Sequence, residues 1–235
     1  MSTTAAAASD SGNTPAEEDQ DDQQQSVPKK DEAAAAVVDP SKVLPLRMTS
    51  VVVEGYGRGS SDLGIPTANL DRNAGTYGSV ARKSDNGNGR GSDSDNNGDG
   101  VHTFEDLPTG IYWGFCRVGD KAGDESTVYK TACSIGYNPY YHNKQKTVEP
   151  HMIAPPDSKS RHLSSCGETM LNDFYDQPIR LTLVGYLRPE LPFEGLEKLV
   201  NAIKNDIVES ERLCDGTDDT TLREKSWVTS DESVE

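Results

Sequence analysis

From Met48 to Val53 the chain is rich in β-branched residues, the make-up of a strand. Further on, Ile111, Trp113 and Phe115 alternate with Tyr112, Gly114 and Cys116, the period-two pattern of a strand with one buried face. Thr127 to Ile135 follows after a polar Gly-Asp turn, so the two runs predict a hairpin. Ile179 to Leu187 is the last long strand, with Ile179, Leu181 and Leu183 on one side and Thr182, Val184 and Tyr186 on the other. After Pro189 and Pro192 the period lengthens. Leu196, Leu199, Val200, Ile203 and Ile207 fall on one helical stripe, while Glu197, Lys198, Asn201, Lys204 and Asp206 lie away from it. One amphipathic helix is therefore expected to bury that stripe against the sheet. No βαβ alternation occurs. The expected fold is mainly β: a small antiparallel β-barrel, closed or nearly closed, of about six strands, with the C-terminal amphipathic helix packed outside.

Only 33% of the 235 residues are hydrophobic and the net charge is −16, so much of the chain is expected to lie outside a core. The charge is unevenly spread. Residues 1–39 carry nine acidic and two basic side chains, and residues 215–235 seven and two. The first 43 residues read as a disordered acidic arm, because almost nothing large and apolar is present to offset ordering entropy. Residues 215–235 read as a second disordered acidic tail, although Trp227 is a candidate to dock. The folded domain is expected over residues 44–214, with two loop-like insertions at about 83–100 and 154–169. The first of these has alternating acids but lacks the glutamate and flanking helices of a calcium loop.

Away from the arms the chain is close to neutral, which excludes nucleic-acid binding through a basic surface. Cys116, Cys133, Cys166 and Cys214 form no metal spacing and read as free thiols of a reducing compartment. No run of roughly 18 apolar residues occurs, so no membrane-spanning helix is expected. The N-terminus is acidic and lacks a signal-peptide core, and a cytoplasmic monomer is the expectation.

The stretch Gly55 to Leu70, GYGRGSSDLGIPTANL, organises the candidate chemistry. Gly55, Gly57 and Gly59 lack a Cβ, so their backbone N–H groups can approach a bulky anion closely. Arg58 adds a permanent positive charge and Ser60 or Ser61 a hydroxyl. If Thr67-Ala68-Asn69 is extended, Thr67 and Asn69 point to one side and offer two neutral oxygens to one point. Such oxygens suit a hard cation that keeps waters and shares a nucleotide phosphate. Neither the GxxxxGK[ST] loop nor the dinucleotide fingerprint is present. On residue types alone, a glycine cluster is more often a turn than a phosphate site. Glu149 alone reads as a loop carboxylate between an aromatic turn and the second insertion, and Arg188 as a surface arginine paired with Glu190.

The ordered set GRGS…LGIPTAN resembles the nucleotide-binding segment of the riboflavin kinases (ATP:riboflavin 5′-phosphotransferases). SIGYNPYYHNKQKTVEPH resembles their SIGxNPxY…K…E-x-H segment, and Asp173-Phe174-Tyr175 their DFYG, with Asp176 replacing the glycine. The resemblance runs over about residues 46–213. It implies transfer of the γ-phosphate of ATP to the 5′-hydroxyl of riboflavin, giving FMN and ADP. It also implies Glu149 as catalytic base, with ATP and phosphate contacts from Gly55, Gly57, Arg58, Gly59, Ser60, Ser61, Thr67, Asn69 and Tyr175. Thr67 and Asn69 are then the metal ligands, with Mg²⁺ the expected cation and Zn²⁺ or Mn²⁺ as alternatives. Arg188 and Phe193 become flavin-side residues, and His151, at the family's histidine, a structural one. Pro150 departs from the usual non-proline after the base. Neither an adenylyltransferase nor a phosphatase domain is recognisable, so a monofunctional kinase is expected. The rival readings are a flavin-binding barrel module without catalysis and a non-enzymatic interaction protein using its acidic arms.

Overall fold

The computed structural model describes residues 38–55, 65, 67–72, 76–79, 103–119, 128–137, 146–155, 157 and 174–234. The arm before residue 38, the insertion at 83–100, most of that at 154–169, and Gly57, Arg58, Gly59, Ser60 and Ser61 lie outside the described residues.

Among the described residues, a short helix α1 (Pro40–Val43) is followed by seven strands: β1 (Leu46–Val53), β2 (Asn69–Leu70), β3 (Thr76–Ser79), β4 (Gly110–Val118), β5 (Val128–Tyr137), β6 (Lys146–Met152) and β7 (Pro178–Pro189). They form one antiparallel sheet in the order β2-β1-β7-β4-β5-β6, with β3 also on β1. Ala68 N–H donates to Pro150 O at 3.0 Å, which joins the β2 end of the sheet to β6 and makes the barrel nearly closed. The expected β4–β5 hairpin pairing is present, with Gly110 opposite Ile135 and Arg117 opposite Val128. The chain orders earlier than Leu44, because Val43 is fully buried at the barrel end.

Strand alternation fills the interior. Leu46, Met48 and Val52 meet Tyr112, Cys116, Cys133, Ile135, Val148, Met152, Ile179, Leu181 and Leu183 in one core. Each large aliphatic side chain so buried contributes about 1.5–3 kcal/mol relative to exposure. Two register shifts against β4 alter β7. After the first, Tyr186 lies opposite Tyr112 and meets its ring at 5.1 Å, so it joins the interior side rather than the Thr182 side expected from strict alternation. After the second, Arg188 lies opposite Ile111.

Outside the barrel run α2 (Leu196–Cys214) and α3 (Asp219–Thr229). The expected stripe of α2 is buried only towards its C-terminal half, where Ile207, Ser210 and Cys214 are covered. Leu196, at the start of the helix, is 62% exposed.

The tail expected to be disordered is instead α3 and its extension, a correction to the sequence reading. Trp227 is buried, and the guanidinium groups of Arg180 and Arg47 stand 4.1 and 4.9 Å from its ring centroid. Glu224, also buried, takes Arg47 with both oxygens at 2.8 and 3.1 Å and accepts from Thr182 Oγ1 at 3.0 Å. Arg117 donates to Thr229 O and Asp231, and Arg180 to Trp227 O and Glu232 O. Strand pairing sets Arg117 opposite Arg180, with Arg47 on the neighbouring strand. Acidic composition reads as solvation in one dimension; here three strand arginines on one outer face supply its partners.

Candidate active site

β1 delivers the chain to Gly55, and pairing of Val53 with Asn69 brings the far end of the glycine segment back beside its start. Asn69 turns its amide onto Gly55, in the space a side chain there would need. Its Nδ2 faces Gly55 and its Oδ1 lies farther off. Ala68 and Leu70 are buried while Thr67 and Asn69 are half-buried, the alternation that sets the two oxygen-bearing side chains on one side. Ile65 anchors the segment from outside: it is buried against Ala132, Ile153 and Ile207 of α2.

Glu149 lies in strand β6, which corrects its reading as a loop residue. Lys146, Val148, Pro150 and Met152 are buried, and Thr147, Glu149 and His151 occupy the other, half-buried face. Thr147 Oγ1 donates to Glu149 Oε1 at 2.9 Å, and Ser134 lies opposite on β5. Pro150 is compatible with this strand. Its carbonyl faces Ala68, and in an antiparallel ladder the missing N–H faces the same way, so no bond to β5 is lost. That Ala68 bond sets the Thr67–Asn69 segment directly beside the strand of Glu149.

Tyr175 sits in an exposed turn tied to the end of β1, where Asp176 N–H donates to Val52 O at 2.9 Å. Asp176 has φ +62°, the left-handed conformation a glycine would adopt, so the turn is retained despite the replacement. Tyr175 is therefore brought to the barrel end where the glycine segment starts.

At the end of β7, Arg188 pairs not with Glu190 but with Asp206 of α2, through Nε to Oδ1 at 2.7 Å and Nη2 to Oδ2 at 2.5 Å. Phe193 is adjacent, its ring centroid 5.7 Å from the Arg188 guanidinium carbon. Arg188 and Phe193, singled out by resemblance, thus come together. Glu190 reaches instead onto Gly136, where a Cβ would stand 2.2 Å from its Oε1. Although Glu190 is exposed as a residue, partial desolvation of its carboxyl where it lies against Gly136 shifts it above the ordinary range; the Glu149 charge adds to this, while a hydrogen bond from Thr109 and the Arg188 charge oppose it.

Sequence reasoning passed over three of these groups. Asp206 was assigned to the solvent side of the helix and is buried. Glu190 had only a pairing role with Arg188. Lys146 of the TVE strand is buried, donates to Glu105 O at 2.6 Å and Leu107 O at 2.7 Å, and so pins the 103–109 segment to β6; burial lowers its pKa. Only the K of the SIGxNPxY…K…E-x-H pattern hinted at it.

Among the described residues no group of three or more His, Cys, Asp and Glu could hold a metal ion. Neutral oxygens from Thr67 and Asn69 fit a hard cation whose remaining ligands are nucleotide phosphates and water. Burial pushes the thiols of Cys116, Cys133 and Cys214 well above the ordinary range, so none is a nucleophile.

A family model described as "Flavokinase: Riboflavin kinase" matches residues 43–214. The chain is 35% identical to the riboflavin kinase of Mus musculus over 184 residues, covering 78% of this chain and 90% of that protein. It is 34% identical to that of Homo sapiens with the same coverage, and 31% identical to that of Aspergillus fumigatus over 71% of this chain and 75% of that one. With the family match spanning the whole barrel and α2, and the glycine segment and Glu149 drawn together at its closure, the chain belongs to the riboflavin kinase family.

Proposed function

We propose that this protein phosphorylates riboflavin at its 5′-hydroxyl, with ATP as donor, and releases FMN and ADP. Family membership supports the reaction. The single observation that carries the assignment of the site is the Ala68–Pro150 hydrogen bond, which sets the phosphate-and-metal segment against the strand of the candidate base. A non-catalytic flavin binder has no need of that juxtaposition.

In this reading Glu149 accepts the proton of the 5′-hydroxyl as its oxygen bonds to the γ-phosphorus and the bond to the β–γ bridging oxygen breaks, releasing ADP. Proton acceptance comes late in a loose transition state, so Glu149 must be held in place more than it must be strongly basic. Thr147 holds it, by donating to one carboxylate oxygen. Gly55 opens the phosphate cradle, to which Gly57, Arg58, Gly59, Ser60 and Ser61 would contribute, and Tyr175 flanks the nucleotide. Thr67 and Asn69 would hold a divalent cation, Mg²⁺ by preference, and that cation neutralises charge on the β- and γ-phosphates when bound. Arg188 and Phe193 face the flavin.

No helix among the described residues is long and apolar enough to cross a membrane. The free, buried thiols of Cys116, Cys133 and Cys214 support a reducing compartment, for which we propose the cytoplasm. We take the working unit to be a monomer. Incubation with riboflavin, ATP and Mg²⁺ followed by chromatography tests the activity: FMN with stoichiometric ADP is expected. Retention of riboflavin without ATP consumption would replace the kinase by a flavin-binding module.

A further inference from the structure

We infer that Asp206 is a positioning residue for the flavin substrate, acting through Arg188. This rests on the reading of Arg188 as a flavin-side residue. Asp206 is buried on α2 next to Ile207, which is itself buried in the cluster of Ile65, Ala132 and Ile153. Packing of Ile207 therefore sets where the aspartate backbone stands. From there the carboxylate meets the guanidinium with both oxygens, at 2.7 and 2.5 Å, while Arg188 Nη1 donates to Pro189 O at 2.9 Å. A fork-to-fork pair with a third bond leaves the guanidinium plane no rotational freedom.

Stability alone is a poor reason for this arrangement. A part-buried ion pair stabilises a fold little compared with apolar residues of the same shape, and here an apolar side chain beside Ile207 would continue the buried stripe. What the pair supplies is a fixed orientation. Of the five guanidinium N–H groups, the bonds to Asp206 and Pro189 engage three. The other two lie on the terminal nitrogens of a guanidinium whose carbon is 5.7 Å from the Phe193 ring centroid, and an oxygen of a planar flavin bound at that place is what they would take. Asp206 also balances the charge of Arg188, which suits an uncharged substrate.

The test compares Asp206→Asn, Asp206→Glu, Arg188→Lys and the double variant Asp206→Asn/Arg188→Lys. Steady-state kinetics for riboflavin and ATP, riboflavin binding by its fluorescence, and melting temperature are measured for each. Asp206→Asn is expected to raise the riboflavin KM about tenfold, in line with the loss of a charge-assisted hydrogen bond, with the ATP KM unchanged. Asp206→Glu keeps the charge and should fall between. The double variant should be no worse for riboflavin than Arg188→Lys alone, because the aspartate acts through the arginine. If Asp206→Asn does not fold, Asp206→Glu alone decides, a native riboflavin KM overturning the inference. A lowered melting temperature with a native riboflavin KM, or additive losses in the double variant, would also overturn it. If Arg188→Lys itself leaves riboflavin KM unchanged, the flavin-side reading of Arg188 fails, and the inference fails with it.

Discussion

The side-chain amide of Asn69 fills the space over Gly55: a Cβ at Gly55 would stand 2.2 Å from Asn69 Nδ2 and 3.0 Å from its Cγ. A Cβ there would meet the movable amide end of the Asn69 side chain, a contact that joins the two ends of the glycine segment. Gly55→Ala should therefore push Asn69 out of position. Asn69→Ala is expected to weaken ATP with Mg²⁺ about tenfold, with metal-free ATP and riboflavin little changed, whereas Gly55→Ala, which also alters the phosphate cradle, should weaken ATP both with and without Mg²⁺. Nucleotide titrations with and without Mg²⁺ check this. Equal weakening in both by Asn69→Ala would remove the cation from the role of Asn69.

Glu149→Gln keeps the shape of the side chain and its bond from Thr147 while removing its basicity. The expected outcome is a fall in kcat of about 10²–10⁴ with riboflavin and ATP affinities retained. Single-turnover rates alongside equilibrium binding test it, and a parallel loss of binding would make Glu149 structural.

The docked C-terminal helix should contribute heavily to stability. Trp227→Ala removes a buried ring with two arginine guanidiniums against it and is expected to cost about 3–5 kcal/mol. Glu224→Ala, which leaves Arg47 without its carboxylate, should cost about the same order. Urea unfolding measures both. Native stability after deletion of residues 219–234 would show that the helix adds nothing.

Stability should also depend on pH through Glu190. Its carboxyl is shifted above the ordinary range in the folded state, chiefly through partial desolvation of an otherwise exposed side chain, so the effect is small. The folded chain therefore favours the protonated form, and the stability this contributes is present below the unfolded pKa and is lost as pH rises through the folded one. Glu190→Gln is expected to be more stable than the native chain at neutral pH, with the difference shrinking on acidification. Melting curves across the acid range check the sign; a difference that grows towards low pH would contradict it.

Asp176 carries a positive φ in a turn where the family has glycine. Asp176→Gly should relieve that backbone and stabilise the fold by about 0.5–1 kcal/mol, with turnover unchanged. Chemical denaturation gives the measurement, and destabilisation would mean that the aspartate side chain holds the turn.

Much of this protein was already written along the chain. The β-branched run of β1, the alternation of β4 and β7, the β5 run after its polar turn and the helical stripe of α2 are local signals, and a barrel with an outer helix follows from their order. PTAN, the TVEPH glutamate and the YLRP arginine stood out through resemblance to short contiguous family motifs, while residue types alone read the last two as a loop carboxylate and a surface arginine. Four features were decided only in three dimensions. Glu149 became a strand residue because β5 offers a ladder to an otherwise turn-like sequence. Tyr186 joined the interior because register shifts against β4 changed its side, which alternation within one strand cannot reveal. Asp206 was buried because Arg188, eighteen positions earlier, waits on the adjoining sheet end. The acidic tail became a helix because Arg47, Arg117 and Arg180, scattered in sequence, are gathered by strand pairing into one surface. Periodicity reports which face of an element is apolar; whether a charge on it is solvated or paired depends on partners that only the sheet brings within reach.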